Sequence, residues 1–357
     1  VPLPARFHAD VRRCVADIVE HGRHLSSAIE QFFRAYRPGA LDASAIRTAI
    51  FTAVRYGDVE GAISGRYEDG PHPEAASIPV PLRERIARAY GDRAHDVVSA
   101  LLTDAPTFIR VNTLRTTAEA CAAALLPFRP HRCGQDVYRI DAPYGLFATD
   151  AFAAGWFEQQ DITSQRAGNE LRAAAGQRIV DACAGAGGKT LLFASAMRNK
   201  GRIIALDTDA AKLDALRTRC VRAGVDIVET RHITTTKVVK RLAGTADGVF
   251  IDVPCTGTGV IRRNPDILLR FSEDSFAELC AMQAEILRRN ARIAKPGAPV
   301  VYATCSILPE EGRDQVHSFL ASADGAAFRL ENEWQTLPGD DGGDGFYVAR
   351  LTRSSDA

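Results

Sequence analysis

No apolar run in this 357-residue sequence approaches the roughly 18 to 20 residues that a membrane-spanning helix needs. The opening stretch "VPLPARFHADVRRC" also lacks the apolar core of a secretory signal. Both absences predict a cytoplasmic chain. There is no CxxC and no Cys/His cluster with zinc-ligand spacing, so no metal is expected. The eight cysteines lack the dense, regular spacing of a disulfide framework and read as reduced thiols. Cys14, Cys121 and Cys133 read as ordinary core or surface residues. Charge of neither sign is in excess, with 44 Lys and Arg against 44 Asp and Glu, so the composition does not announce a nucleic-acid binder. Any RNA site must then be a local basic patch. Internal repeats and low-complexity tracts are missing as well.

What is present falls into three stretches. From His8 to about Gly65, apolar residues recur at three- and four-residue spacing: Val11, Val15, Ile18 and Val19, then Leu25, Ile29, Phe32 and Phe33. Ile46, Ile50, Phe51 and Val54 continue the pattern, and Gly57 is a plausible helix stop. This predicts a small helical domain over 1–70. Residues 68–81, "EDGPHPEAASIPVP", carry four prolines and read as a linker. One or two helices, strand-like "TFIRVNTL", a helix around "AEACAAALL" and strand-like "DVYRI" follow, predicting a linker and small α/β module over 71–150. From 151 to 357, "RIVDACAG", "RIIALDT", "VDIVETR", "DGVFIDVPC" and "APVVYATCS" alternate with amphipathic stretches long enough for crossover helices. That spacing predicts a mostly parallel, doubly wound sheet. Ligands of such sheets sit outside the carboxyl ends of the strands, where Cys183, Asp207, Asp252, Cys255 and Cys305 all fall.

"DACAGAGGKT" follows the first of these strands and opens a helix, where backbone can approach a ligand closely. A phosphate-binding loop would need glycine where Cys183 stands, and a dinucleotide fingerprint would need glycine where Thr190 stands. A methyltransferase pattern tolerates both departures. It has an acid before the turn, Asp181, then Gly185 and Gly187, and a second acid, Asp207, twenty residues after Gly187 at the next strand end. Asp207 is suited to hold two ribose hydroxyls, so the cofactor expected is S-adenosylmethionine, with NAD or a purely structural turn as alternatives. Cys305 precedes Pro309, Glu310 and Glu311, a helix-start signal, and a helix N-terminus lowers the pKa of a nearby thiol. Position alone also allows each cysteine to be a buried structural thiol.

"DACAGAGGKT", "FIDVPCTGTGVIRRNPDI", "VYATCSILPEE" and the closing "DGFYVARL", in this order, resemble the RsmB-type RNA 5-methylcytosine methyltransferases, relatives of the eukaryotic NSUN enzymes. "FIRVNTL" and "GWFEQQDITSQ" match the segments before that catalytic domain, and residues 8–65 resemble the NusB-like helical domain found at the front of such proteins. The resemblance implies an α/β fold: a Rossmann-like S-adenosylmethionine-dependent methyltransferase domain with a mixed, mostly parallel sheet. A helical NusB-like RNA-binding domain and the small α/β module would precede it. It implies methylation of cytosine C5 in RNA, most often small-subunit ribosomal RNA, through a covalent cysteine adduct at C6. Cys305 matches the family nucleophile, and Cys255 the cysteine linked to proton removal and release. Asp252 would touch the base or the cofactor near the reacting methyl group.

By the same resemblance Cys183, Ala184, Gly185, Ala186, Gly187, Gly188 and Lys189 hold S-adenosylmethionine, with Asp207 on the ribose. Ala186 stands where many relatives have proline. His232, in "VETRHITTTK", stands roughly where relatives usually carry an acid near the adenine amine. Arg262 and Arg263 are candidates for phosphate contacts, with a solvated charged loop as the alternative. The expected partner is RNA and the expected state a monomer. Competing readings are a transfer-RNA cytosine-5 methyltransferase, a non-catalytic RNA-binding assembly factor on the same fold, and a NAD-dependent oxidoreductase. The intact cysteine pair argues against the second, and the missing third glycine against the last.

Overall fold

The computed structural model describes residues 3–36, 39–67, 69–74 and 76–355, with backbone alone at 40, 41 and 341. The chain forms two compact units, one of residues 1–105, 256–276 and 337–339, the other of 106–255, 277–336 and 340–357.

The smaller unit is helical. Helices His8–Val19, Leu25–Tyr36, Ala40–Tyr56 and Val59–Ser64 bury Val11, Val15, Ile18, Leu25, Phe32, Ile46, Ile50, Phe51 and Val54 in one core. Ile29 and Phe33 pack at its margin. Val19 departs from the expected face: it is the last residue of its helix and is exposed. Gly57, at φ +63°, ends the third helix in the left-handed conformation that only glycine adopts cheaply. Residues 37 and 38, inside the predicted helical stretch, lie outside the described residues, as do 68 and 75 of the predicted linker. The described remainder of that linker has no regular structure before helix Val80–Tyr90, which takes Pro81 into its first turn, where the missing N–H costs nothing.

The larger unit holds two sheets. Strands β1 (Thr107–Val111), β2 (Pro130–Arg132), β3 (Val137–Ile140) and β4 (Phe157–Gln159) form an antiparallel sheet in the order β2-β3-β1-β4. β2 and β4 have three residues each, too few for a periodic signal, and the sequence reading did not contain them. The second sheet contains β5 (Arg178–Asp181), β6 (Arg202–Asp207), β7 (Val228–His232), β8 (Gly248–Asp252), β9 (Pro299–Thr304), β10 (Phe328–Thr336) and β11 (Phe346–Arg353). Its order is β10-β11-β9-β8-β5-β6-β7. β5 to β9 run parallel, and β11 pairs antiparallel with both β9 and β10. Runs such as Ile203, Ile204, Ala205, Leu206 and Val249, Phe250, Ile251 are buried on both faces, as a sheet covered on two sides requires. From β5 the chain moves to β6 and β7 on one side and returns to β8 and β9 on the other, so a ligand crevice is expected at the carboxyl end of β5.

An ion cluster joins the two sheets. Glu158, on β4 and 3% exposed, accepts from Arg219 Nη2 at 2.8 Å and from Arg222 Nη2, both on helix Ala210–Ala223, which packs on β6 and β7. Arg110 on β1 is buried behind it, its pKa pushed down to about 10 by burial with the Glu158 charge opposing. Removing one member of such a cluster leaves uncompensated buried charge. Glu158→Ala is therefore expected to destabilise the fold by about 3–5 kcal/mol, as read from the urea midpoint, while Glu20→Ala on an exposed helix end should move it by less than about 0.5 kcal/mol.

Candidate active site

The parallel register delivers the two thiols to one place. Asp252 of β8 lies opposite Ala303 of β9, and Val253 N–H donates to Ala303 O at 3.1 Å, so the ladder closes one residue past β8. Cys255 and Cys305 each come two residues beyond that last pair, and their sulfurs sit 3.3 Å apart as free thiols. Two half-buried cysteines fifty positions apart are thereby brought side by side at the carboxyl edge of the sheet.

Next to them stands a half-buried charge pair. Lys189, the second residue of helix Gly188–Ala196, donates from Nζ to Asp252 Oδ2 at 2.7 Å. Its ammonium lies 5.4 Å from the Phe346 ring centroid and 6.0 Å from that of Phe250. Burial works to lower the lysine pKa; the charge and hydrogen bond of Asp252 outweigh it, and the group stays charged with its pKa raised.

The turn from Asp181 to Lys189 is tied on both sides. Ala184 N–H donates to Leu206 O at 2.9 Å, Gly185 N–H to Asp207 Oδ2 at 2.8 Å, and Arg219 Nη1 to Ala186 O at 2.7 Å. Gly187, at φ +88°, precedes the helix, and a Cβ there would come within 2.1 Å of Leu216. Gly185, at φ +52°, instead faces open space. Asp207 Oδ1 also accepts from Asp209 N–H at 2.9 Å, so each carboxylate oxygen holds one backbone donor and keeps acceptor capacity for a second. Open space beside Gly185, with a half-buried carboxylate fixed next to it, fits a nucleoside whose ribose hydroxyls meet Asp207. His232 ends β7 opposite Asp207 and is exposed, its Nε2 2.9 Å from Thr208 O.

The thiol electrostatics differ from the sequence expectation. Pro309–Glu311 is a single 3-10 turn, and the α-helix begins only at Arg313. Gly312 separates them because a Cβ there would meet the Tyr347 ring at 2.8 Å. Three residues, Ser306 to Leu308, lie between Cys305 and that turn. The Cys305 thiol is held well above its ordinary pKa, first by its hydrogen bond with Cys255, then by burial, with the charges of Cys255 and Asp252 adding. Lys189 is the group that pulls it down. Cys183 is likewise pushed up, by burial first and then by Asp181, Asp252 and Asp207, which keeps it neutral.

One residue at this site carries no sequence signal. Gln283, wholly buried on helix Glu273–Ala291, donates through Nε2 to Pro254 O and to Glu311 Oε1, each at 2.9 Å. Of the arginine pair, both in the smaller unit, Arg262 is 2% exposed and its carbonyl accepts from Arg55 Nη2 at 3.0 Å. It is not the solvated side chain that an open phosphate contact calls for, and that expectation passes to the half-buried Arg263.

A nucleoside-fitting turn at the switch point of this sheet defines the S-adenosylmethionine-dependent methyltransferase class. The model of the 16S rRNA methyltransferase RsmB/F family matches residues 169–352, and that of the RsmF/B-like ferredoxin-like domain matches 79–129. The chain belongs to the RsmB/F methyltransferase family. It is 33% identical over 285 residues to ribosomal RNA small subunit methyltransferase B of Salmonella newport strain SL254, covering 76% of this chain and 65% of that protein. The chain thus spans just under two thirds of the length of such relatives. Among solved structures it is similar to a methyltransferase homologue from Pyrococcus horikoshii (TM-score 0.67, 24% identity, 76% of this chain and 93% of that one). It is also similar to NSun6 from Pyrococcus horikoshii with SFG (TM-score 0.71, 19% identity, 78% and 98%). Both likenesses concern the fold.

Asp181, at the end of β5, is buried and hydrogen-bonded by the Thr190 hydroxyl at 2.6 Å. Burial, with Asp252 and Asp207 adding, raises its pKa to about 7. The native state then binds more protons than the unfolded chain between about pH 4 and pH 7, so this group's stabilisation is complete at low pH and is lost as pH rises to 7. Asp181→Asn keeps an acceptor for Thr190 and removes the titration. Relative to the parent, its stability should improve from pH 4 to pH 8 by up to about 4 kcal/mol, measured by urea unfolding at both values.

Proposed function

We propose that this chain methylates C5 of cytosine in RNA, the substrate being small-subunit ribosomal RNA, with S-adenosylmethionine as methyl donor. The observation that carries the reading is the 3.3 Å approach of the Cys255 and Cys305 sulfurs beside the Lys189–Asp252 pair. Family membership supports the reaction class, and the name of the Salmonella relative supports the substrate. Residues Cys183 to Lys189 hold the cofactor, with Asp207 on its ribose and Asp252 near the reacting methyl group. Bound there, it supplies an electrophilic methyl group on a sulfonium.

Cys305 provides what cytosine lacks. C5 is a poor nucleophile until a thiolate adds to C6; the carbon–sulfur bond forms and the ring π pair moves to C5, which takes the methyl group. Loss of the C5 proton, received by Cys255 once it has released its own proton to solvent and stands as the thiolate, restores the double bond and expels the Cys305 thiolate. Lys189 favours the thiolate by its charge, while the raised pKa of the thiol keeps the free enzyme mostly protonated. A base within a duplex must be flipped out or already unpaired to reach this edge. Residues 1–70 we assign to RNA binding and 71–150 to a small module preceding the catalytic domain of 151–357, with Arg263 as a phosphate contact.

S-adenosylmethionine at about 100 times its Kd should stabilise the protein by roughly 2.7 kcal/mol, and NAD should not. Asp207→Ala should weaken that binding by roughly 1.5–3 kcal/mol, read by calorimetric titration. Cys305→Ala should abolish methylation and form no covalent RNA adduct. Cys255→Ala should add, transfer and then stall as an RNase-sensitive heavier band on a denaturing gel. Trapping by Cys305→Ala alone would exchange the roles, and full activity in both variants would sink the mechanism. Bisulfite sequencing of RNA from cells with and without the protein identifies the cytosine.

A further inference from the structure

Gln283 touches the backbone on one side of the thiol pair and a side chain on the other. Its Nε2 donates to Pro254 O, directly before Cys255, and to Glu311 Oε1, in the turn that follows Cys305. Both partners are acceptors, so the amide orientation is forced: only the nitrogen end can face them. Each of its two protons serves one partner. Glu311 is itself fixed, since it is wholly buried, its carbonyl accepts from Tyr302 Oη at 2.7 Å and its N–H donates to Leu308 O at 3.1 Å. On the Cys305 side, Ser306 N–H donates to Thr304 Oγ1 at 3.2 Å and Leu308 N–H to Ser306 Oγ at 3.0 Å, a chain of short links from the cysteine to the turn.

The β8–β9 ladder ends at Val253 and Ala303, so sheet hydrogen bonding does not reach either cysteine. Beyond that point the side-chain amide of Gln283 spans the two loop segments. We propose that Gln283 is a positioning residue that holds Cys255 and Cys305 at their mutual distance, through Pro254 on one side and Glu311 on the other. The inference builds on the two-cysteine reading above but concerns the spacing of the sulfurs, which can be measured without RNA or cofactor.

The test is oxidative cross-linking of the 357-residue chain by a diazene oxidant, which takes two electrons and two protons from the thiol pair and becomes the hydrazine as the disulfide forms. Peptide mass spectrometry reads the rate of the Cys255–Cys305 link, well below the melting temperature. Gln283→Met, similar in volume and unable to donate, is expected to slow linkage at least tenfold. Glu311→Leu, which frees the Cys305 side alone, should slow it likewise, and Glu311→Gln, which keeps an oxygen acceptor, should restore the parent rate. A contribution to stability alone would lower the melting temperature and leave the linkage rate unchanged, and that result in either Gln283→Met or Glu311→Leu overturns the proposal. If one variant does not fold, the other decides. Single-turnover methyl transfer in Gln283→Met should fall at least tenfold with S-adenosylmethionine affinity unchanged. Slowed linkage in a protein whose parent form methylates no RNA would instead overturn the function and leave the positioning role standing.

Discussion

The ion pair of Lys189 with Asp252 is the constraint around which the carboxyl edge of the large sheet is arranged. A lysine ammonium withdrawn from water is costly unless an opposite charge meets it with good geometry, and here the carboxylate does so at 2.7 Å between two aromatic rings. The pair needs the helix after the glycine turn to begin at Gly188 and β8 to end at Asp252. Fixing those two ends fixes the turn between β5 and its helix and, through the parallel register, the height at which both cysteines leave the sheet. The same cation is the opposing influence on a thiol that its other neighbours keep protonated.

The parts of the fold legible in the sequence are those whose signal is local. β5, β6, β8 and β9 fall on apolar, β-branched segments, β7 is the polar exception, and Gly185 and Gly187 stand where left-handed backbone is needed. Cys255 and Cys305 stand out through their flanking motifs, and their adjacency follows once the strands are paired in parallel. Glu158 is different, because its partners lie 61 and 64 positions away and nothing around a single glutamate announces two arginines closing over it. Gln283 is equally silent: a glutamine on an amphipathic helix has no periodicity of its own.

The misreading around Pro309 has a definite physical origin. Proline followed by two acids satisfies the rules for a helix start, and a short helical turn does form there. Gly312, at φ −113° and ψ −105°, then breaks the run before the α-helix proper. Tyr347 of β11, 35 positions further along, leaves no room for a side chain at that glycine. The electrostatic conclusion drawn from it, an acidic thiol at a helix end, gives way to a thiol held neutral by its neighbouring sulfur and by burial.

Strand β11 lies between β9 and β10, antiparallel to both, and carries the Phe346 ring next to Lys189. During synthesis on the ribosome, β9 and Cys305 emerge some forty residues ahead of the strand that covers their open edge. Until residues 346–353 appear, that edge offers unpaired N–H and C=O groups to any extended chain nearby. The nascent polypeptide therefore completes its large sheet late, and the open edge of β9 is covered only when β11 inserts. A chain interrupted shortly before Phe346 would be an aggregation hazard rather than a shortened version of the same fold.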